Sequence, residues 1–92
     1  MIVSFRHKGL KKLFQTGHAS GINPQHIPRI TRILALLNTA FSIEDMNLPG
    51  LKLHELKGER KGTWAVSVSG NWRITFQWEH GNVILLDYED YH

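Results

Sequence analysis

The chain has 92 residues with a formal net charge of +3, and it contains no cysteine. This length predicts one small domain, residues 1–92, and the lack of cysteine excludes disulfide and thiolate chemistry. No apolar run approaches the ~18 residues of a membrane span, and the N-terminus lacks the charged and then apolar order of a signal peptide. We therefore expect a cytoplasmic protein with no membrane partner.

The positive charge is unevenly distributed along the chain. Residues 1–73 hold all eleven Lys and Arg residues and four acidic residues, a formal charge of +7. Residues 74–92 hold four acidic residues and no basic one. This pattern favours a polyanionic partner, with a solvated basic surface as the alternative interpretation.

The first half of the chain predicts one strand and two helices. Residues 2–5 form a short strand, and residues 9–15 form a helix with one apolar face and exposed lysines. Asn23 and Pro24 mark the start of a second helix that runs to about Asn38. Its periodicity predicts three exposed polar side chains, those of His26, Arg29 and Arg32.

The second half predicts an antiparallel meander. A short edge strand lies near residues 51–57, and a polar loop follows at 58–62. The remaining predicted strands are 64–68, 72–78 and 83–88. Alternation places the tryptophans on the face that packs against the helices and Arg73, Thr75 and Gln77 on a polar face. The element order predicts an α+β fold, an antiparallel sheet with two N-terminal helices packed on one face.

The loop before the meander and the C-terminal residues contain the groups that metal-free RNA cleavage requires. A base takes the proton of the ribose 2′-OH, that oxygen attacks the adjacent phosphate, and an acid protonates the departing 5′-oxygen; each proton transfer contributes about 10²–10⁴-fold. The candidates are His54, Lys57, Arg60, Arg73, Asp90, Tyr91 and His92. The alternative is a charged surface loop and a polar tail with no chemistry.

The six histidines show no metal-ligand spacing. We therefore expect neither a metal site nor a cofactor. His7, His18, His26 and His80 are predicted to lie on the surface.

Three segments, in this order and spacing, resemble HigB-type toxins of the RelE/ParE superfamily: residues 53–62, 71–76 and 88–92. The opening residues 4–14 fit the same family, so the resemblance covers essentially the whole chain. It implies a RelE-like, microbial-ribonuclease-type fold. It also implies the toxin of a bacterial type II toxin–antitoxin pair, which cuts mRNA in the ribosomal A site without a metal and so inhibits translation.

The implied partners are a HigA-type helix-turn-helix antitoxin, the ribosome at its 30S A site, and mRNA. Operator DNA is expected to be bound only through the toxin–antitoxin complex. The lysines of the first helix, together with Arg29 and Arg32, are expected to contact ribosomal RNA phosphates.

The family's active site, carried over residue by residue, falls on His54, Lys57, Asn71, Arg73, Asp90, Tyr91 and His92. Arg60 and Lys61 of the basic loop bring the candidate set to nine. The catalytic candidates are His54, Lys57, Arg73, Asp90, Tyr91 and His92, and the substrate-binding candidates are Asn71, Arg60 and Lys61. His92 is expected to transfer a proton, with Asp90 and Tyr91 orienting groups or sharing that role. Lys57 and Arg73 are expected to stabilise phosphate charge, and His54 and Asn71 to position the nucleotide or the phosphate. The resemblance does not fix which group is the acid and which the base.

Two other functions are compatible with such a chain. One is a ParE-like toxin that acts on DNA gyrase by protein contact and needs no nuclease residues. The other is an RNA-binding module without turnover. Because the first of these does not need His54, Lys57 and His92 together, their joint presence favours the nuclease.

Overall fold

Two helices precede an antiparallel sheet in the computed structural model, which describes residues 1–91. The helices are α1 (Lys8–Thr16) and α2 (Ile27–Thr39). The strands are β1 (His54–Glu55), β2 (Thr63–Ser69), β3 (Trp72–Glu79) and β4 (Asn82–Asp90), hydrogen-bonded in that order and all antiparallel. This arrangement confirms the predicted α+β fold and the order of its two helices and of the strands that follow them.

Local chemistry accounts for both ends of α1 and for the start of α2. The Nδ1 atom of His7 accepts a hydrogen bond of 3.1 Å from the backbone N–H of Leu10, which caps α1. The helix ends at Gly17, whose φ of 76° is the left-handed conformation that glycine adopts readily. A 3₁₀ turn at Pro24–His26, capped by the Asn23 side chain, leads into α2. Within residues 1–91, no helix is long and apolar enough to cross a membrane.

The hydrophobic core lies between the helices and one face of the sheet. Its helical contributors are Leu10, Leu13, Ile30, Ile33, Leu34 and Leu37. Its contributors from the sheet include Val66, Val68, Ile74, Phe76, Val83 and Leu86. The side chains of Trp64, Trp72 and Trp78 pack against this core, as predicted, while remaining partly exposed. The other face of the sheet is therefore the one left for polar residues.

The N-terminal segment pairs with the sheet but does not form the predicted regular strand. Two isolated parallel bridges join Ile2 to Val83 and Phe5 to Leu86, which places the segment beside β4. Between the bridges, Leu85 has a φ of 54°, so the backbone of β4 turns away from a continuous ladder. The Oγ of Ser4 instead accepts a hydrogen bond of 2.8 Å from the Leu85 N–H. The local bulge in β4 is thus the reason that residues 2–5 make only separate bridges.

Two residues that were predicted to lie on the surface make interior contacts instead: His26, just before α2, and Arg29, within it. His26 is only 6% exposed, and its Nδ1 shares a hydrogen bond of 2.6 Å with the Tyr88 hydroxyl. Arg29 is half-buried and donates from Nε to the Ser67 carbonyl at 3.0 Å and from Nη2 to the Gly50 carbonyl at 2.7 Å. The prediction that both are exposed is therefore wrong, whereas Arg32 is exposed as expected.

Candidate active site

The strand register brings predicted site residues onto the sheet face opposite the helices. His54 lies opposite Ala65, and Ala65 lies opposite Thr75, so these three side chains project from the same face. Arg73 lies opposite Ser67 on one side and Glu89 on the other. The polar face predicted from Arg73, Thr75 and Gln77 is thus formed by side chains from all four described strands.

An open depression of about 220 Å³ collects four of the nine candidates. They are His54, Asn71, Arg73 and Tyr91, and the same depression is lined by Lys52, Ser67, Gly70 and Trp72. These residues come from β1 and the segment just before it, from β2, from the turn between β2 and β3, from the start of β3, and from the residue that follows β4. The meander therefore joins segments that are up to 39 positions apart in the sequence into one concave site.

His54 is exposed, and one of its ring nitrogens is already engaged. Its Nδ1 lies 2.9 Å from the carbonyl oxygen of Lys52. A carbonyl oxygen can only accept, so Nδ1 carries the hydrogen in this bond. In the neutral ring the lone pair is then on Nε2, which is the nitrogen that can exchange a proton with a ligand.

Arg73 lies under Tyr91. The guanidinium carbon is 4.3 Å from the centroid of the Tyr91 ring, a cation–π contact. The backbone of Tyr91 is anchored, because its N–H donates to the Asn71 carbonyl at 2.7 Å. Tyr91 is 57% exposed, whereas the Arg73 side chain is 13% exposed. The positive charge of Arg73 is therefore fixed at the wall of the depression under an accessible phenol.

Glu89 is the part of this site that the sequence interpretation did not single out. Its carboxylate accepts hydrogen bonds from Arg60 Nη1 at 2.8 Å, Arg60 Nη2 at 2.7 Å and Thr75 Oγ1 at 2.6 Å. The hydrogen bonds from Arg60 are the main reason that the pKa of Glu89 is lowered to about 2, and the same pairing raises the pKa of Arg60. The sequence does contain an acidic segment in the last strand, and Glu89 of that segment lies opposite Arg73 once β3 and β4 pair.

This cluster covers part of the polar face. Thr75 is only 1% exposed, because the Arg60–Glu89 pair lies over it. The prediction of a polar face is confirmed, but the centre of that face is buried and not exposed to solvent.

Three further candidates, Arg60, Lys57 and Lys61, line other depressions than the one that holds His54 and Arg73. Arg60 lines a neighbouring depression of about 170 Å³ together with Arg6, Thr63, Thr75 and Gln77. Lys57 and Lys61 are exposed and line another depression of about 270 Å³ beside Glu55. The nine candidates therefore do not all line a single depression.

The C-terminal candidates end β4. Asp90 is exposed and lies opposite Trp72 in the register with β3. His92, the predicted proton-transfer residue, lies outside the described residues. Within residues 1–91, no group of three His, Asp or Glu side chains is arranged to hold a metal ion.

The structure is similar to solved structures of YafQ from E. coli. A YafQ mutant superposes with a TM-score of 0.63 at 19% identity, over 98% of this chain and 91% of that one. A second YafQ structure, from E. coli strain BL21(DE3), gives a TM-score of 0.57 at 12% identity over the same shares of the two chains. These similarities concern the fold.

Sequence comparison identifies relatives over the whole chain. The chain is 50% identical to Endoribonuclease HigB of Proteus vulgaris over 92 residues, which is all of both proteins. It is 30% identical to Toxin HigB-1 of Vibrio cholerae over all of this chain and 98% of that protein. Residues 3–92 match the HigB-like toxin family, which is described as the RelE-like toxin of the type II toxin–antitoxin system HigB. The fold and these matches agree with the resemblance, and the chain belongs to the HigB-like family of RelE-like toxins of type II toxin–antitoxin systems.

Proposed function

We propose that this chain is an endoribonuclease that cuts mRNA in the A site of the translating ribosome and so inhibits translation. The observation that carries the proposal is the open depression in which exposed His54 lies near the fixed guanidinium of Arg73. Support also comes from the Proteus vulgaris relative, which is named an endoribonuclease and is 50% identical over its full length.

The proposed reaction is a transesterification within the RNA. The ribose 2′-oxygen loses its proton to a base and attacks the adjacent phosphorus atom. The bond from phosphorus to the 5′-oxygen breaks, and an acid protonates that oxygen. The products are a 2′,3′-cyclic phosphate and a 5′-hydroxyl, and the reaction needs no metal or cofactor.

The candidate residues are assigned roles that suit their chemistry. His54 Nε2 and His92 are the groups for proton transfer, and Asp90 and Tyr91 orient the reacting groups. Arg73 and Lys57 stabilise the charge that develops on the phosphate, a contribution that is typically about 10²–10³-fold for one preorganised group. Asn71 and Lys61 complete the substrate-binding set, whereas the guanidinium of Arg60, also a substrate-binding candidate, is paired with Glu89. The ribosome supplies the rest of the geometry by holding the mRNA in place.

The proposed partners follow from membership in a toxin–antitoxin family. A HigA-type helix-turn-helix antitoxin binds the toxin in the cytoplasm, and operator DNA is contacted only by their complex. The basic part of the chain, +7 over residues 1–73, suits an approach to ribosomal RNA.

The proposal is tested by primer extension on mRNA in programmed ribosomes. We expect discrete cuts within the A-site codon that require the ribosome, and we expect Arg73→Ala to abolish them. A matched mRNA with a 2′-deoxynucleotide at the cut position should stay intact, because it lacks the attacking oxygen. Toxin that has been treated with EDTA and desalted should cut at an unchanged rate.

Two outcomes would contradict the proposal. Equal cutting of the deoxy-substituted mRNA would exclude attack by the 2′-oxygen. Growth arrest in cells without any mRNA cuts would indicate a different target, and inhibition of gyrase supercoiling by the purified protein would then support the ParE-like function.

A further inference from the structure

We infer that Arg60 and Glu89 are positioning residues for Arg73. Arg60 binds the Glu89 carboxylate, and this contact prevents Arg73 from forming a close ion pair with Glu89. This inference rests on the proposed function, because a close ion pair between Arg73 and Glu89 would remove the positive charge that is proposed to bind the phosphate. It also gives Arg60 a role other than direct contact with the substrate.

The distances show two arginines next to one carboxylate. Arg60 makes a two-pronged contact with both oxygens of Glu89, at 2.8 and 2.7 Å, and Thr75 adds a third hydrogen bond at 2.6 Å. Arg73 Nη2 lies 3.6 Å from Oε1 of the same carboxylate. That separation exceeds the usual 2.7–3.2 Å of an N–H···O hydrogen bond. Arg60 therefore has the strong contact and Arg73 the weak one.

The register explains why Arg73 would pair directly with Glu89 if Arg60 were absent. The two residues face each other across β3 and β4. Opposite residues in such a pair have Cβ atoms about 4.5–5.5 Å apart, which is close enough for a direct ion pair. An arginine and a carboxylate favour two parallel hydrogen bonds in one plane. Arg60 already fills that plane, so Arg73 remains to one side of it.

A direct pair between Arg73 and Glu89 would oppose phosphate binding in two ways. The carboxylate would occupy the guanidinium N–H groups that a phosphate oxygen needs. It would also place a negative charge against the incoming phosphate, which costs affinity for the charge that develops in the transition state. In the observed arrangement, the guanidinium carbon of Arg73 lies 4.3 Å from the Tyr91 ring centroid, so the guanidinium has an aromatic contact and is not neutralised by close contact with Glu89.

The test compares Arg60→Met with the double variant Arg60→Met/Glu89→Gln. Methionine keeps much of the side-chain length but removes the charge. We expect R60M to lower the single-turnover cleavage rate at saturating toxin by about tenfold, with a change of less than about threefold in the half-saturating concentration. The double variant should be more active than R60M, because the neutral amide at position 89 no longer attracts Arg73. If Arg60 instead contacts RNA directly, removal of the Glu89 charge brings no recovery, and that result would overturn the inference.

Two further variants guard against a folding defect. Arg60→Lys retains the charge, but its single ammonium group cannot bond both carboxylate oxygens in one plane. We expect R60K to lie between wild type and R60M in rate, and R60K/E89Q to recover as R60M/E89Q does. Thermal melting of each variant separates loss of fold from loss of rate.

A measurement on the isolated toxin tests the arrangement independently of cleavage. The Nε–Hε resonance of Arg73 in a ¹⁵N-correlated NMR spectrum reports the partner of the guanidinium. We expect it to shift in R60M and to return toward its original position in R60M/E89Q. An unchanged resonance in R60M would overturn the inference. If wild type fails to cleave mRNA, the proposed function fails, and this spectrum still decides the positions of the three side chains.

Discussion

The side chain of Arg73 is mostly buried, although it lines an open depression. Its side chain is 13% exposed, and within residues 1–91 its buried Nε atom has no hydrogen-bond partner. An arginine stays charged at any physiological pH, so burial without a close counter-ion is costly. The nearby Glu89 carboxylate and the face of Tyr91 offset part of that cost. A phosphate oxygen at the depression would add to this stabilisation, as the role proposed for Arg73 requires.

At the level of single residues, the first prediction concerns acid stability. The pKa of Glu89 is lowered from 4.5 to about 2, mainly by its hydrogen bonds to Arg60. A lowered carboxylate pKa stabilises the folded state fully above pH 4.5, and this contribution is lost as the pH falls toward 2. Glu89→Gln should cost about 1 kcal/mol at pH 7, a modest value because Arg60 is 41% exposed and solvent screens the pair.

The measurement is urea denaturation followed by tryptophan fluorescence at several pH values between 2 and 7. We expect the gap between wild type and E89Q to narrow as the pH is lowered from 4.5 to about 2. If the free energies of unfolding of the two proteins change in parallel with pH, the ionisation of Glu89 does not contribute to stability.

The second prediction separates the ring of Tyr91 from its hydroxyl. A cation–π contact at an exposed site contributes about 0.5–1 kcal/mol, or two- to fivefold in rate if it holds Arg73 in place. We therefore expect Tyr91→Leu, which keeps apolar bulk but loses the aromatic face, to cleave about two- to fivefold more slowly than Tyr91→Phe in single-turnover assays. Equal rates for the two variants would show that the aromatic face of Tyr91 does not contribute to cleavage.

Sequence reasoning found the residues of the depression but not the ion-pair cluster behind it. His54, Asn71, Arg73 and Tyr91 could be named because their types suit RNA chemistry and because the family resemblance assigns them. The contact between Arg60 and Glu89 joins a loop to the end of a strand, and it depends on the relative register of β3 and β4. A pattern of residue types gives the strands but does not fix which charged side chains meet across them.

At the level of secondary structure, β4 is the element that organises the molecule. It pairs with β3 on one side and with the N-terminal segment on the other. It also carries Tyr88 on the core face and Glu89 on the polar face, since adjacent residues of a strand point to opposite sides. The core and the candidate site are therefore coupled through consecutive residues.

The error at His26 shows how a short turn can change the phase of a helix. The prediction extended the helical period of α2 back to this residue and so placed it outward. In the structure, Pro24–His26 is a 3₁₀ turn, which has 3.0 rather than 3.6 residues per turn. The changed phase directs His26 inward, where it meets Tyr88. The helix itself was predictable from its apolar spacing and from the Asn23–Pro24 start signal.

The third prediction follows from this contact. His26 and Tyr88 are 6% and 7% exposed and share a hydrogen bond of 2.6 Å, so Tyr88→Phe leaves a buried ring nitrogen without that partner. We expect Y88F to lower the free energy of unfolding by about 1–3 kcal/mol. Tyr91→Phe is the matched control, since Tyr91 is 57% exposed, and it should change stability by less than about 0.5 kcal/mol. Equal effects in urea denaturation would contradict the structural role of the buried pair.

At the scale of the whole molecule, the fold separates two kinds of charge. The basic residues precede Ile74 in the sequence, yet the sheet brings Arg60 and Arg73 against the acidic end of the chain at Glu89. The lysines of the 57–61 loop lie outside that cluster and are exposed. The linear charge pattern predicted a polyanionic partner, but only the fold distinguishes basic groups that are used internally from those that face a partner.

The fourth prediction uses salt to identify the outward-facing group. Lys57 and Lys61 are exposed and line one depression of about 270 Å³, so we expect both to contact phosphates of the ribosome or the mRNA. Each phosphate contact to single-stranded RNA contributes a slope of about 0.7 in a plot of log affinity against log salt concentration. The double variant K57Q/K61Q should therefore flatten the slope for toxin binding to programmed ribosomes by about 1 to 2.

The control K57R/K61R keeps both charges and should keep the wild-type slope, and an unchanged slope in K57Q/K61Q would show that this surface does not face RNA. Because an internal pair such as Arg60–Glu89 exchanges few ions on binding, Glu89→Gln should leave the slope unaltered even where it changes the cleavage rate.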